Sequence, residues 1–158
     1  MASSLKILVC GGRNYADRDE LFATLDWVNN RHGIHSLCHG GCGYFDEVKQ
    51  FYVYTGADRF AGEWCKARGI NCIVFPAEWD HYGKRAGPIR NKHMLDTFQP
   101  DWVIAFAGGT GTANMVSLAR NAGVRVTKVT TGWSKTWNPQ PQSSSSAETS
   151  APTTDLSP

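Results

Sequence analysis

Apolar runs and amphipathic stretches alternate from residue 5 to residue 129, and their spacing predicts the elements. Leu5 to Cys10 reads LKILVC, a mostly apolar strand. From Asp17 to Asn30, Leu21, Leu25 and Val28 follow helical intervals, with Phe22 and Trp27 widening the inward face. Asp17 suits the N-cap, Glu20 completes a capping-box pattern, and Gly33 stops the helix. Ile34 to His39 reads as a second strand that ends in His39-Gly40-Gly41. Gly56-Ala57-Asp58 opens a second helix, with Phe60, Ala61, Trp64 and Cys65 facing inward and Gly69 at its end. Asn71 to Phe75 is a third strand. Pro88 fits the first position of a helix carrying Met94, Leu95 and Phe98. A fourth strand over Asp101 to Ala107, a helix over Thr112 to Asn121 and a fifth strand over Val124 to Val129 complete the pattern.

Strands alternating with helices predict an α/β fold, a parallel sheet with helices on both faces. In such sheets ligands bind beyond the carboxyl ends of the strands, where strand order reverses. The order expected of such a fold, 3-2-1-4-5, would make the first and fourth strands neighbours at that point. Each carries a glycine-rich turn: Gly11-Gly12-Arg13 after the first, Gly108-Gly109-Thr110-Gly111-Thr112 after the fourth. A turn of nearly bare backbone lets main-chain N–H groups face an anion, and the following helix N-terminus adds partial positive charge. Two such turns suggest a pocket for a phosphorylated ligand.

Composition narrows the setting. A chain of 158 residues suggests one domain, and after Gly132 apolar residues give way to Ser, Thr and Pro. The expectation is a domain over 1–132 and a disordered tail over 133–158. The formal net charge of +2 is too small to argue for nucleic acid. No apolar run reaches spanning length and the N-terminus carries no signal-peptide pattern, so a soluble cytoplasmic protein with no membrane partner is expected. The five cysteines lack a CxxC pair, which argues against a disulfide framework. His35, Cys38, His39 and Cys42 lack zinc-ligand spacing, and neither a metal nor a cofactor is expected.

Further candidates surround the turns. Arg13 can fork onto a phosphate or carboxylate. Arg90 and Asn91 open a helix after a glycine-rich loop, and Arg90 and Met94 share one helical face. There Arg90 can reach phosphate or ribose with Met94 packed below. Asp58 either satisfies backbone N–H groups at a helix start or accepts ribose hydroxyls. Glu78 is a second candidate carboxylate. Trp79 and Tyr82 can stack a base or simply pack.

Six ordered pieces carry a family resemblance: Gly11-Gly12-Arg13-x-Tyr15; His39-Gly40-Gly41; Gly56-Ala57-Asp58; Pro76-Ala77-x-Trp79; Gly83-Lys84-x-Ala86-Gly87-Pro88-x-Arg90-Asn91-x-x-Met94; and Gly108-Gly109-x-Gly111-Thr112-Ala113-Asn114-Met115-Val116. Together, over Leu5 to Val129, they resemble the SLOG superfamily and within it the YspA/YpsA-related group. The resemblance implies a Rossmann-like three-layer sandwich with a five-stranded parallel sheet. It also implies a nucleotide-derived small-molecule ligand and a homo-oligomer, with a dimer expected. Gly11, Gly12, Arg13, Gly40, Gly56, Asp58, Arg90, Asn91, Met94, Gly108, Gly109, Thr110, Gly111 and Thr112 are then the ligand-binding candidates. The phosphoribohydrolases of the superfamily carry PGGxGTxxE; this chain has Ala107 at the proline and Met115 at the glutamate. A thioether cannot accept a proton as a carboxylate can. The leading expectation is a binding or sequestering module. The alternative is an N-glycosidic or phosphoribosyl hydrolase acting on a nucleoside monophosphate or an ADP-ribose-like substrate, with Arg90, Asp58 and Glu78 as its catalytic candidates. By the same comparison Cys42 to Thr55 is an insertion rich in aromatic residues, read as a lid, a partner surface or a loop with its own small cluster.

Overall fold

The computed structural model describes residues 4–130. The expected end of the domain at 132 and the tail over 133–158 lie outside the described residues. Within them run β1 (Leu5–Cys10), α1 (Arg18–His32), β2 (Ile34–His39), β3 (Gly43–Asp46), β4 (Phe51–Tyr54), α2 (Gly56–Arg68), β5 (Asn71–Val74), α3 (Trp79–Tyr82), α4 (Ala86–Phe98), β6 (Trp102–Ala105), α5 (Thr110–Asn121) and β7 (Arg125–Lys128). A 3-10 turn over Gly83–Arg85 joins α3 to α4.

Five strands form one all-parallel sheet in the order β5-β2-β1-β6-β7. Leaving aside β3 and β4, this is the expected order 3-2-1-4-5. The fold is a Rossmann-like α/β sandwich. Strand alternation divides the core into two layers. Ile7 and Val9 of β1 face one way, onto Leu21 and Leu25 of α1 and Ala61 and Trp64 of α2. Leu8 faces the other way, onto Met94, Leu95 and Phe98 of α4 and Met115 and Val116 of α5. The strands at the centre are apolar on both faces because helices cover both.

The helix signals act as read. Asp17 caps α1 by accepting the Glu20 N–H at 3.0 Å. Gly33, with φ of 81°, closes the same helix through its N–H to Asn29 O. Two features differ from expectation. Pro88 is the third residue of α4 rather than the first, and the short helix α3 precedes it. The segment after Cys42 is neither irregular nor part of the main sheet: β3 and β4 pair as an antiparallel hairpin. Asp46 builds its turn, accepting the N–H groups of Val48 and Lys49, each at 3.0 Å. Tyr44, Phe45, Phe51 and Tyr52 stay exposed on the hairpin. Tyr54, also exposed, meets the buried His39 ring edge-on at 5.5 Å. Among the described residues no helix is long and apolar enough to cross a membrane.

Candidate functional site

β1 runs between β2 and β6, and the chain leaves it in opposite directions on either side. That reversal opens a crevice of about 880 Å³ at the carboxyl ends of β1 and β6. The size suits a small-molecule ligand. The two glycine turns form its floor and are joined directly, Gly12 donating its N–H to Ala107 O at 2.8 Å. Contact this close requires glycine. A Cβ on Gly12 would stand 3.0 Å from the Gly108 Cα. A Cβ on Gly108 would collide with the Thr112 side chain and lie 2.7 Å from the Gly12 nitrogen.

Gly109 and Gly111 are different. A Cβ on either meets nothing within 4 Å, so the chain's own packing does not demand glycine there. Gly109 is the N-cap of α5 and supplies no side-chain cap, and the first turn of the helix holds no acidic residue. The leading N–H groups of a helix have no intrahelical acceptor. Those of α5 face the crevice through Thr110, Gly111 and Thr112, uncapped by any side chain of Gly109.

The opposite wall comes from α4. Arg90 donates Nε to Asn91 Oδ1 at 2.9 Å and Nη1 to the carbonyls of Gly40 and Phe75, the latter at 3.2 Å. Asn91, itself buried, passes Nδ2 to Gly111 O at 3.1 Å and Asn114 Oδ1 at 3.0 Å. A continuous polar chain therefore runs from the loop after β2, through α4, to the first turn of α5. Through Nη1 Arg90 ties the loops after β2 and β5 together while still lining the crevice. Gly40 must be glycine, since a Cβ would run into the Arg90 guanidinium. Met94 is 2% exposed and reaches the crevice from below, one helical turn after Arg90.

Asp58 lies in the first turn of α2, 3% exposed, and its Oδ2 accepts the Cys42 N–H at 2.9 Å. It satisfies a backbone donor from the loop after β2 rather than at its own helix start, and it lines the crevice. Arg13 is exposed at the rim, where Lys84 joins it. The lining side chains thus include three cations, Arg13, Lys84 and Arg90, against the carboxylate of Asp58. Cys10 and Cys42 also line it. Burial, reinforced by Asp58, pushes both thiols up, so they stay protonated.

Three readings change. Gly56 does not line the crevice. With φ of 63° it seats the start of α2 on the first glycine turn, where a Cβ would collide with the Gly12 carbonyl, and the next N–H, of Ala57, reaches that carbonyl at 3.1 Å. Glu78 precedes α3 and is exposed outside the lining, apart from Arg90 and Asp58. Met115, at the position of the hydrolase glutamate, does not line the crevice. It is fully buried in the apolar layer with Leu8 and Met94, so a carboxylate there would lie in the core. The helical turn from Thr112 to Met115 carries the side chain under the sheet instead of outward.

Sequence reasoning left out Lys84, Asn14, Asn114, Cys10 and Cys42 and committed to neither use of Trp79. Trp79 stands 47% exposed at the crevice rim with its ring edge near Gly87. Its signal was the Pro76-Ala77-x-Trp79 piece. The hairpin residues 43–54 are absent from the lining, so the hairpin does not roof the crevice in this conformation. Among the described residues no group of three or more His, Cys, Asp or Glu side chains could hold a metal ion.

The family model of the YspA, cpYpsA-related SLOG family matches residues 5–52 of this chain. The match runs from β1 into the hairpin and includes the turns after β1 and β2, which bears out the resemblance over that span. No curated protein matches the chain.

Proposed function

We propose that this chain, similar over residues 5–52 to the YspA, cpYpsA-related SLOG family, binds a nucleotide or nucleotide-derived ligand as a sensor or sequestering module. The phosphate sits on the uncapped start of α5 and the glycine turns, and the rest of the ligand extends toward Arg90 and Trp79. The observation that carries this reading is the pairing of the two turns through Gly12 N–H and Ala107 O at 2.8 Å, which puts bare backbone on both sides of one crevice. Glycine at 111, inside α5, supports it: alanine is the better helix residue by about 1 kcal/mol, and the protein's own packing leaves room for it. Three lining cations favour an anionic ligand.

The second reading is N-glycosidic or phosphoribosyl hydrolysis, and the observation that favours it is the Asp58 carboxylate in the lining. Against it, Asp58 is buried and already occupied by the Cys42 N–H, and position 115 points into the core. Incubation with adenosine monophosphate and with ADP-ribose, followed by chromatography, separates the two. The binding reading predicts ligand recovered intact with no base released above background. Steady base release that Asp58→Asn abolishes would contradict it.

A further inference from the structure

A second cavity, of about 610 Å³, adjoins the crevice on the β7 side of the α5 start, at the carboxyl ends of β6 and β7. Ala107, Gly108, Gly109 and Thr112 line both spaces and form the boundary between them. One wall comes from α5, where Ala113, Ser117 and Arg120 recur at helical intervals on one face and are all exposed. Another comes from β7. Val126 packs in the apolar layer with Val116 of α5. Lys128, two residues on, shares that face at the carboxyl end of the strand and lines the cavity.

The lining has the chemistry of an anion site. Among the described residues it holds the cations Arg120 and Lys128, the hydroxyls of Thr112, Ser117 and Thr130, and no carboxylate. Lys128 is half-buried, and among the described residues it makes no ion pair. Lysines on edge strands keep other strands from pairing there, and for that they extend into water. Lys128 lies instead on the face that α5 covers. Gly109 stands where the two spaces meet. Its φ of −105° suits any residue and a Cβ there would meet nothing within 4 Å, so neither a positive φ nor packing requires glycine. A larger residue would set a side chain at the boundary; glycine leaves the way between the two spaces as bare backbone.

We propose that the ligand carries at least two phosphates in a row, and that the second crosses Gly109 and is held in this cavity by Lys128 and Arg120. The proposal rests on the crevice binding a nucleotide-derived anion, and it adds the number of phosphates. The first phosphate sits at the start of α5. The P–O–P chain continues away from the nucleoside, over the backbone of Gly108 and Gly109, and brings the next phosphate between the Ser117 hydroxyl and the Lys128 ammonium. An ammonium is a compact charge with three donors, which suits a phosphate whose oxygens are free on several sides. A nucleoside monophosphate ends at the α5 start and leaves the second cavity to water.

Isothermal titration of adenosine monophosphate and of adenosine diphosphate into the full chain tests this. The readout is the ratio of the two affinities within each protein, so it does not depend on how stable a variant is. The wild type binds the diphosphate about tenfold or more tighter than the monophosphate, the effect of one added charge-assisted contact. Lys128→Ala brings the two affinities to within about twofold of each other. Ser117→Glu, on the exposed face of α5 and outside the crevice lining, does the same by setting a carboxylate in the cavity. Equal affinities in the wild type, or a diphosphate preference that either variant retains, would overturn the proposal and leave the crevice reading intact. Failure of both nucleotides to bind the wild type would contradict the crevice reading itself, and this proposal with it.

Discussion

Gly108 and Gly109 are neighbours with opposite surroundings. One is pressed against Thr112 and Gly12; the other has nothing within 4 Å of its missing Cβ. Gly108→Ala is therefore expected to lower the melting temperature, at about 1–3 kcal/mol for overpacking. Gly109→Asp is expected to melt close to the wild type. Scanning calorimetry on the two variants checks the pair, and a reversed order would mean the turns are not joined as described. Met115 supplies a second test at this scale. Met115→Glu would bury a carboxylate among Leu8, Met94 and Val116, so a loss of about 3 kcal/mol or more is expected, with no gain of base release. A stable Met115→Glu protein in urea titration would contradict its placement in the core. Neither outcome could be read from the motif, because alignment with PGGxGTxxE gives position 115 a role without saying which layer it packs in.

Between elements, α1 and α2 are fastened at Asp26. Its carboxylate takes Trp64 Nε1 at 2.8 Å and a two-point contact from Arg68, also at 2.8 Å on each oxygen. The Arg68 hydrogen bond, followed by that of Trp64 and opposed by burial, holds the Asp26 carboxyl below its ordinary value of 3.8. A folded-state pKa below the unfolded one adds stability above the unfolded value, and that stability is lost as pH falls through the folded one. Asp26→Ala leaves the indole N–H of the fully buried Trp64 without this acceptor, at a cost of about 1–3 kcal/mol at neutral pH. The gap between variant and wild type should narrow below about pH 4, where the wild-type carboxyl takes up protons. Denaturation measured at neutral and acid pH checks this, and a constant gap would contradict the ionic link. The sequence was most legible at this scale. Asp17, Gly33 and the apolar spacing each impose a local geometry that tertiary contacts left intact. The hairpin was not legible as strands, because its aromatic residues are mostly exposed and lack the alternation that a buried face enforces. Its available signal was Asp46 set between two aromatic runs. The single turn of α3 is too short to have a period.

For the molecule as a whole, the topology does most of what the site requires. The order β5-β2-β1-β6-β7 brings turns almost a hundred residues apart into hydrogen-bond contact, and that meeting was legible only as a fold-level expectation, since alternation predicts a parallel sheet without fixing its strand order. The structural duties of Gly40, Gly56 and Arg90 were not, since each depends on what the folded chain brings against it. Arg90 combines two duties, so Arg90→Ala should lower both stability and affinity, whereas Lys92→Ala, which removes only an exposed pair with Asp96, should change both little. Equal small effects in melting and titration experiments would mean the polar chain from Gly40 to Asn114 contributes neither to stability nor to ligand binding. The account rests on the crevice receiving a nucleotide-derived anion at the start of α5. Isothermal titration of adenosine monophosphate and ADP-ribose into the wild type and into Gly109→Asp tests it most directly. The account predicts binding of at least one of them by the wild type. It also predicts a loss of about tenfold or more in the variant at unchanged melting temperature, since a carboxylate would stand where charge-assisted N–H contacts worth about 1.5–3 kcal/mol are made. Equal affinity in a folded Gly109→Asp protein, or no binding of either compound by the wild type, would contradict it.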